Sequence, residues 1–454
     1  MEGTITGAAT AAFGGWAFWA ATAVFAVSYV LIISEKVHKT VVALFGASLM
    51  VVLGILTQKD AFHSEELGID WNVIFLLISM MVIINLMRPS GFFEFIAVKS
   101  AKLGRGEPFR ILAILSVVTA VLSAFLDNVT TVLLIVPVTM FIADALEVDV
   151  FPFLISEAIA SNIGGTATLI GDPPNIMIAS KAQLTFMDFV YHLTPVIIII
   201  MVVYVILLKL LFGKKLKATD EVRARVMAMD EREAIKDPVM MKKSLFVLGL
   251  TILGFILHGS LGYEPATVAL FGAALLLLIT NNQEPHKVLA EVEWPTLFFF
   301  IGLFIIVGGV VKVGLIKWLS VQALALTHGN MFATSMLVMW FSAFASAIVD
   351  NIPYVATMNP LIVDMARELW PGQSLTEVLH HKELMPIWWS LALGACLGGN
   401  GTAIGASANV IVIGISEKAG NRISFMKFTM YGMPIMILTV AVSTVYVWLR
   451  YYVF

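Results

Sequence analysis

The chain has 454 residues, of which 59% are hydrophobic and 13% charged, with a formal net charge of -3 and a mean hydropathy of +0.93. Soluble domains are about half apolar and a quarter charged, so this composition excludes a soluble enzyme and describes a polytopic membrane protein. Charge is confined to loops between apolar runs, which supports no nucleic-acid partner, and the single cysteine, Cys396, excludes a disulfide framework or a cysteine-cluster metal site.

In chain order, continuous apolar runs fall near residues 13–33, 40–56, 71–87, 195–212, 244–257, 267–279, 295–311 and 433–449. About 20 apolar residues cross roughly 30 Å of hydrocarbon, so each run is read as a span; 244–257 is short and is expected to extend into its flanks. The first run has no basic flank before it and is long enough to span, which predicts a helix and not a cleaved signal peptide.

Between these runs lie two copies of one cassette. FLDNVTTVLLIVP (125–137) is followed by GGTATLIGDPPNIMI (164–178), and IVDNIPYVATMNP (348–360) by GGNGTAIGASANVIV (398–412). Each Asp-Asn pair splits an apolar stretch that could go in and come back, predicting a re-entrant hairpin. The glycine-rich loops split what would otherwise be single spans at 151–182 and 387–416. Non-helical backbone at membrane depth is tolerated only where protein buries it or where it lines a cavity, so the two breaks mark the functional centre.

The repeat runs further. VALFGAS (42–48) returns as VALFGAA (268–274), Trp71 and Gly91 are matched by Trp294 and Gly314, and TFMDF before Pro195 by SFMKF before Pro434. The expected domains are a first repeat, 1–212, a charged cytoplasmic linker, 213–243, and a second repeat, 244–454. Basic residues at Lys36, Lys39, Lys99, Lys102, Arg105 and Arg110, in the linker, and at Lys418, Arg422 and Lys427 place one face in the cytoplasm, leaving Glu65 and Glu66 outside. The predicted fold is all-α: two inverted-topology repeats in the cell inner (plasma) membrane, with both termini outside. It has about ten membrane-crossing segments plus two re-entrant hairpins, and two broken helices at the centre.

Few groups carry chemistry. Asp127, Asp172 and Asp350 fall in the hairpins and the first loop, with Glu157 in the helix before it. A carboxylate at membrane depth costs at least a few kcal/mol, and these four are the proton-carrying candidates. The plainer alternative is that an Asp before Asn caps a half-helix, and the two roles can coexist. The neutral ligand candidates are Asn128, Thr130, Thr131, Gly164, Gly165, Thr166, Thr168 and Asn175, then Asn351, Thr357, Gly399, Asn400, Thr402, Ser407 and Asn409. Their carbonyls and hydroxyls could coordinate a small ion or bind a polyhydroxyl solute, although small residues also serve helix packing.

No Arg or Lys falls in either cassette or mid-span, so the expected cargo is a cation, a proton or a neutral hydroxylated solute. A multiply charged anion would need cationic ligands or several helix N-termini. His380 and His381 are read as solvated, since two adjacent histidines lack a third metal partner. No metal or cofactor is expected beyond a coupling ion, H+ or Na+.

FLDNVTT with SNIGGTATLIGDPPN, and VDNIPYVATM with LGGNGTAIGASANV, resemble the arsenite-pump/sodium-proton antiporter (ArsB/NhaD) family of the ion transporter superfamily, nearest to its pink-eyed-dilution P protein branch. The resemblance covers nearly the whole chain. It implies secondary active transport by an elevator-like movement, often as a homodimer, and it allows a cytoplasmic ATPase subunit to dock on the linker. Family site positions map to Asp127, Asn128, Thr130, Gly165, Thr166, Asp172 and Asn175, and to Asp350, Asn351, Asn400, Thr402 and Asn409. The expected function is proton-coupled export of a small inorganic solute, with arsenite or antimonite, as the neutral hydroxide, the leading cargo. The alternatives are a sodium-proton antiporter, a sodium-coupled anion or carboxylate transporter, disfavoured by the absent Arg and Lys, and an ion channel.

Overall fold

The computed structural model describes residues 15–280 and 284–454, and the secondary structure among them is helical. The residue-13 start expected for the first span lies outside the described residues. The first half contains α1 (Trp16–Ser34), α2 (Lys39–Val52), α3 (Trp71–Met87), α4 (Phe92–Leu103), α5 (Pro108–Phe125), α6 (Asn128–Ala145), α7 (Phe151–Gly165), α8 (Pro173–Ala182) and α9 (Thr194–Phe212). The second contains α10 (Pro238–Leu261), α11 (Pro265–Ile279), α12 (Trp294–Lys312), α13 (Leu315–Leu326), α14 (Met331–Ile348), α15 (Asn351–Leu369), α16 (Met385–Gly398), α17 (Ser407–Lys418) and α18 (Phe425–Trp448). The order and approximate lengths of the first set recur in the second. The linker is partly helical, with Asp220–Met227 burying Val222 and Val226.

Nine helices among the described residues are long and apolar enough to cross a membrane, while α2, α11, α13 and α16 are shorter apolar helices. Three of the nine, α5, α6 and α14, are hairpin arms; the fourth arm, α15, is not one of the nine. The run at 244–257 does extend, to a helix of 24 residues. Asp237 caps it through Val239 and Met240, Pro238 opens it without a donor to waste, and Gly262 closes it at φ 70°.

The helix breaks have local causes. Asp127 takes an extended conformation (φ -64°, ψ 153°) and accepts from the Thr130 amide, so α6 starts afresh two residues after α5 ends. Asp350 does the same for α15 through Ile352. Pro173 and Pro174 can begin a helix but not continue one, which fixes the start of α8. Gly164 and Gly398, repeat equivalents, let the broken helices press on the hairpins: a Cβ there would lie 2.0 Å from the Ala120 carbonyl oxygen and 2.6 Å from that of Ala343. None of Gly164, Gly165 and Gly399 has positive φ, so close approach, not a left-handed turn, is what these positions require.

Two opposite ends can be assigned from contacts. The 17 residues of α3 rise about 26 Å. Beyond its end the Ser90 carbonyl accepts from the linker amide of Lys236 at 3.0 Å, while before its start Glu66 pairs with Arg367 at 2.9 Å. The open end of the α5–α6 hairpin lies at the linker face, where Glu147 meets Arg225 at 3.1 Å. That of α14–α15 lies at the Glu66 face, through Arg367 and through Glu368, which pairs with Lys317 at 2.9 Å. The hairpins therefore come in from opposite ends and meet tip to tip.

Candidate functional site

Both hairpin tips and both glycine-rich loops converge on Asp172, which is fully buried. Its Oδ1 accepts from Asn128 Nδ2 at 3.2 Å, and its Oδ2 from Asn351 Nδ2 at 3.3 Å. One amide from each tip thus holds the same carboxylate. Behind it, Asn162 of α7 accepts from Asn128 at 3.2 Å and donates to Asn400 Oδ1 at 2.9 Å and Asn409 Oδ1 at 3.1 Å.

Broken helices leave carbonyls without partners, and at membrane depth these must be satisfied internally. Repeat-related asparagines do this. Asn175 donates to Thr166 and Thr168 carbonyls at 3.2 and 2.9 Å, and Asn409 to those of Gly399 and Thr402 at 2.8 and 3.0 Å.

The expected hydroxyl ligands are engaged within the protein. Thr130 donates to Asp127, Thr131 to the Asp127 carbonyl at 2.9 Å and Thr166 to the Asn162 carbonyl at 2.7 Å. Thr168 and Thr402, repeat equivalents, donate to Ala124 and Ala347 at the hairpin tips. Thr357 donates to Pro353 at 3.1 Å and sits 2.6 Å from the Tyr29 hydroxyl. Thr168 and Thr402 thus brace the broken segments against the hairpins, while Thr130, Thr131 and Thr166 bond within their own helix starts or turns.

Glu157 is buried away from the three aspartates. Its Oε1 accepts from Thr139 at 2.6 Å and its Oε2 has no hydrogen-bond partner. His380 sits within hydrogen-bond distance of the Thr376 and Gln183 carbonyls at the surface, and His381 stacks on Trp370.

Asp127, Asp172 and Asp350 line one cavity of about 390 Å³, with Glu35, Lys39 and Glu293 toward its mouth. That mouth faces the linker end. Thr40 at the start of α2 donates to Pro295 at the start of α12, and Asp60, just after α2, meets Lys312 at the far end of α12, so both helices run from the mouth toward the Glu66 face. A separate cavity of about 940 Å³ on that face is lined by Glu66, Asp70, Lys181 and Arg367 and does not include the three aspartates.

The expectation of a site without cationic groups is wrong. Lys39 Nζ lies 2.9 Å from Asp350 Oδ2 and 3.1 Å from Ser407 Oγ, and Ser407 also donates to Asp350 at 2.9 Å. The Phe299 ring centroid is 5.0 Å away. A lysine in a short loop is the standard mark of a cytoplasmic face, but here it opens α2 and turns its amine inward. Asn162 was missed as well, because its repeat position holds Cys396, whose Sγ lies 3.5 Å from Asn175 Oδ1.

The chain matches the family model described as citrate transporter (CitMHS) over residues 29–394. An uncharacterized transporter of Mycobacterium tuberculosis is 48% identical over 433 residues, covering 95% of this chain and 98% of that protein. The 46 kDa membrane protein of Mycobacterium leprae is 46% identical over 95% of this chain and 99% of its own length. The human P protein is 32% identical over 94% of this chain and 59% of its own length, which bears out the likeness to that branch. Among solved structures, the Alcanivorax borkumensis YdaH transporter aligns with a TM-score of 0.58 at 12% identity, covering 95% of this chain and 97% of that one. MtrF of Neisseria gonorrhoeae aligns with a TM-score of 0.56 at 10% identity, covering 90% and 85%. These two likenesses concern the fold. The family matched is described by citrate, not by arsenite, and the chain belongs to that CitMHS family: it is a multi-pass membrane secondary transporter of the ion transporter superfamily, and not an enzyme.

Proposed function

We propose that the chain is a proton-coupled carrier of a small carboxylate, working by elevator-like alternating access between two inverted repeats, 1–212 and 244–454, in the cell inner membrane. The observation that carries this reading is the placement of the Lys39 amine among three aspartates in one cavity open to the linker face. Hairpins entering from opposite ends of α3 support the inversion, because a site between such halves sits equally far from both faces.

The charge balance then sets the coupling. Three aspartates, with Glu35 and Glu293 toward the mouth, outnumber the one ammonium, so the cavity with its carboxylates ionised repels an anion; two unit charges about 4 Å apart interact by roughly 4 kcal/mol at an effective dielectric of about 20. Each proton taken up by the carboxylate cluster removes one negative charge and leaves the Lys39 ammonium better able to pair with a substrate carboxylate. Substrate and proton therefore load together. A second reading, export of arsenite or antimonite as the neutral hydroxide, draws on the same carboxylate and amide oxygens, which accept hydroxyl protons.

The test is uptake into proteoliposomes under an imposed pH gradient, with citrate, arsenite and sodium as separate arms. Saturable, gradient-driven citrate flux is expected. Arsenite flux alone selects the second reading, sodium flux alone a sodium-proton antiporter, and non-saturable flux a channel.

A further inference from the structure

The two hairpin tips differ in one respect that the repeat makes visible. Aligning VALFGAS (42–48) with VALFGAA (268–274) puts Pro265 where Lys39 stands, so the equivalent position of α11 offers no amine. Asp127 makes its side-chain bonds to Thr130 of its own helix. Asp350 instead shares one oxygen between Lys39 at 2.9 Å and Ser407 at 2.9 Å, while its other oxygen caps Ile352 at 3.1 Å. Around the amine stand Glu293 and Phe299 of α12 and its start, Glu35 and His38 of its own approach, and Asp127 and Asp172 across the cavity.

A carboxylate and a hydroxyl beside a broken helix, in a cavity with two further aspartates, form an oxygen donor set of the kind that holds an alkali cation. At Asp350 the lysine ammonium already fills it, at ordinary ammonium-to-oxygen distances. Resting on the site described above, we propose that Lys39 is a tethered cation occupying the place a sodium ion would otherwise take at Asp350 and Ser407, so that the carrier is driven by protons and is independent of sodium. A free sodium ion must compete with a charge held on the same molecule, whose effective concentration is of the millimolar order or above for short tethers. A proton needs no such room: it binds a carboxylate oxygen of the cluster without taking the place the amine holds.

Sodium binding by the purified full-length protein in detergent, read as a saturable rise in melting temperature with choline chloride as the ionic-strength control, tests this without any flux. Wild type is expected to show no sodium-specific rise, Lys39→Gln to gain one, Lys39→Arg to behave as wild type, and Lys39→Gln with Asp350→Asn to lose the gain. A sodium-specific rise in wild type overturns the proposal even if every variant fails to fold. A folded Lys39→Gln protein with no rise overturns it as well. Neither result depends on which solute is carried, so a failure to move citrate leaves this test intact.

Discussion

Asn162 of the first broken helix donates its amide to Asn409 of the second at 3.1 Å, joining two residues 247 positions apart in the chain. The same amide group also reaches Asn400, so this one side chain bonds to two asparagines of the other broken segment. Replacing Asn162 by Ala leaves Asn128, Asn400 and Asn409 each short of a buried partner, at about 1–3 kcal/mol for each group left unsatisfied. Asn162→Ala is therefore expected to lower the melting temperature in detergent and to lose transport, and Asn162→Asp, which cannot donate to Asn400 and Asn409 as a carboxylate, to do the same. Wild-type stability and flux in Asn162→Ala would remove the amide chain from the account.

Asp127→Asn and Asp350→Asn separate capping from proton carriage, because Asn caps a helix about as well as Asp. Both variants are expected to fold with near-wild-type melting temperature and to lose gradient-driven flux. Flux and melting temperature measured on the same preparations decide it. Coupled flux at the wild-type rate in either variant would reduce that residue to a cap.

Glycines divide by what lies beside them. A Cβ at Gly164 would meet the Ala120 carbonyl at 2.0 Å, whereas one at Gly249 or Gly414 would meet nothing within 4 Å. Gly164→Ala is expected to destabilise by at least the ~1–3 kcal/mol of an overpacked core. Gly249→Ala should be neutral or stabilising by up to about 1 kcal/mol, as for an exposed helix position. Thermal unfolding of the two variants is the measurement. Gly46 and Gly272 are poor controls, since a Cβ there would lie 2.6 Å from Ser28 Oγ and 2.2 Å from Thr251 Oγ1.

The pH dependence of transport should come from the centre and not from the outer ion pairs. Asp60 is held down to about 2, first by the Lys312 side chain and then by the Thr57 amide. A carboxyl depressed in the folded state contributes stability that is present above its unfolded value near 3.9 and is lost only as pH falls through about 2. Between pH 5 and 8 Asp60 does not titrate. Asp60→Asn should therefore leave the shape of the pH–flux profile unchanged, and a shifted midpoint would show that the pair takes part in coupling.

The centre of the fold was legible because its signals are local. An Asp before Asn inside an apolar run, a double glycine, and a Pro-Pro at the restart each act within a turn of helix, and Asp127, Asp172 and Asn175 lie where those signals put them. Lys39 was not legible, since its partner Asp350 is 311 residues away and its charge reads locally as a loop marker. Hydroxyls such as Thr168 and Thr402 could be placed at the centre, but not their engagement with Ala124 and Ala347, which only the hairpin–loop packing determines.

Opposed hairpins around a central site require that the linker and Glu66 ends face opposite sides of the membrane. Single cysteines in a Cys396→Ala background, treated with an impermeant thiol reagent on intact cells, measure this directly. Exposed positions Glu65 and Gln373 are expected to react from outside, while Lys99, Ala224 and Asn421 stay protected until the membrane is opened. Labelling of Gln373 and Ala224 from the same side would contradict the account and remove the geometric basis for alternating access.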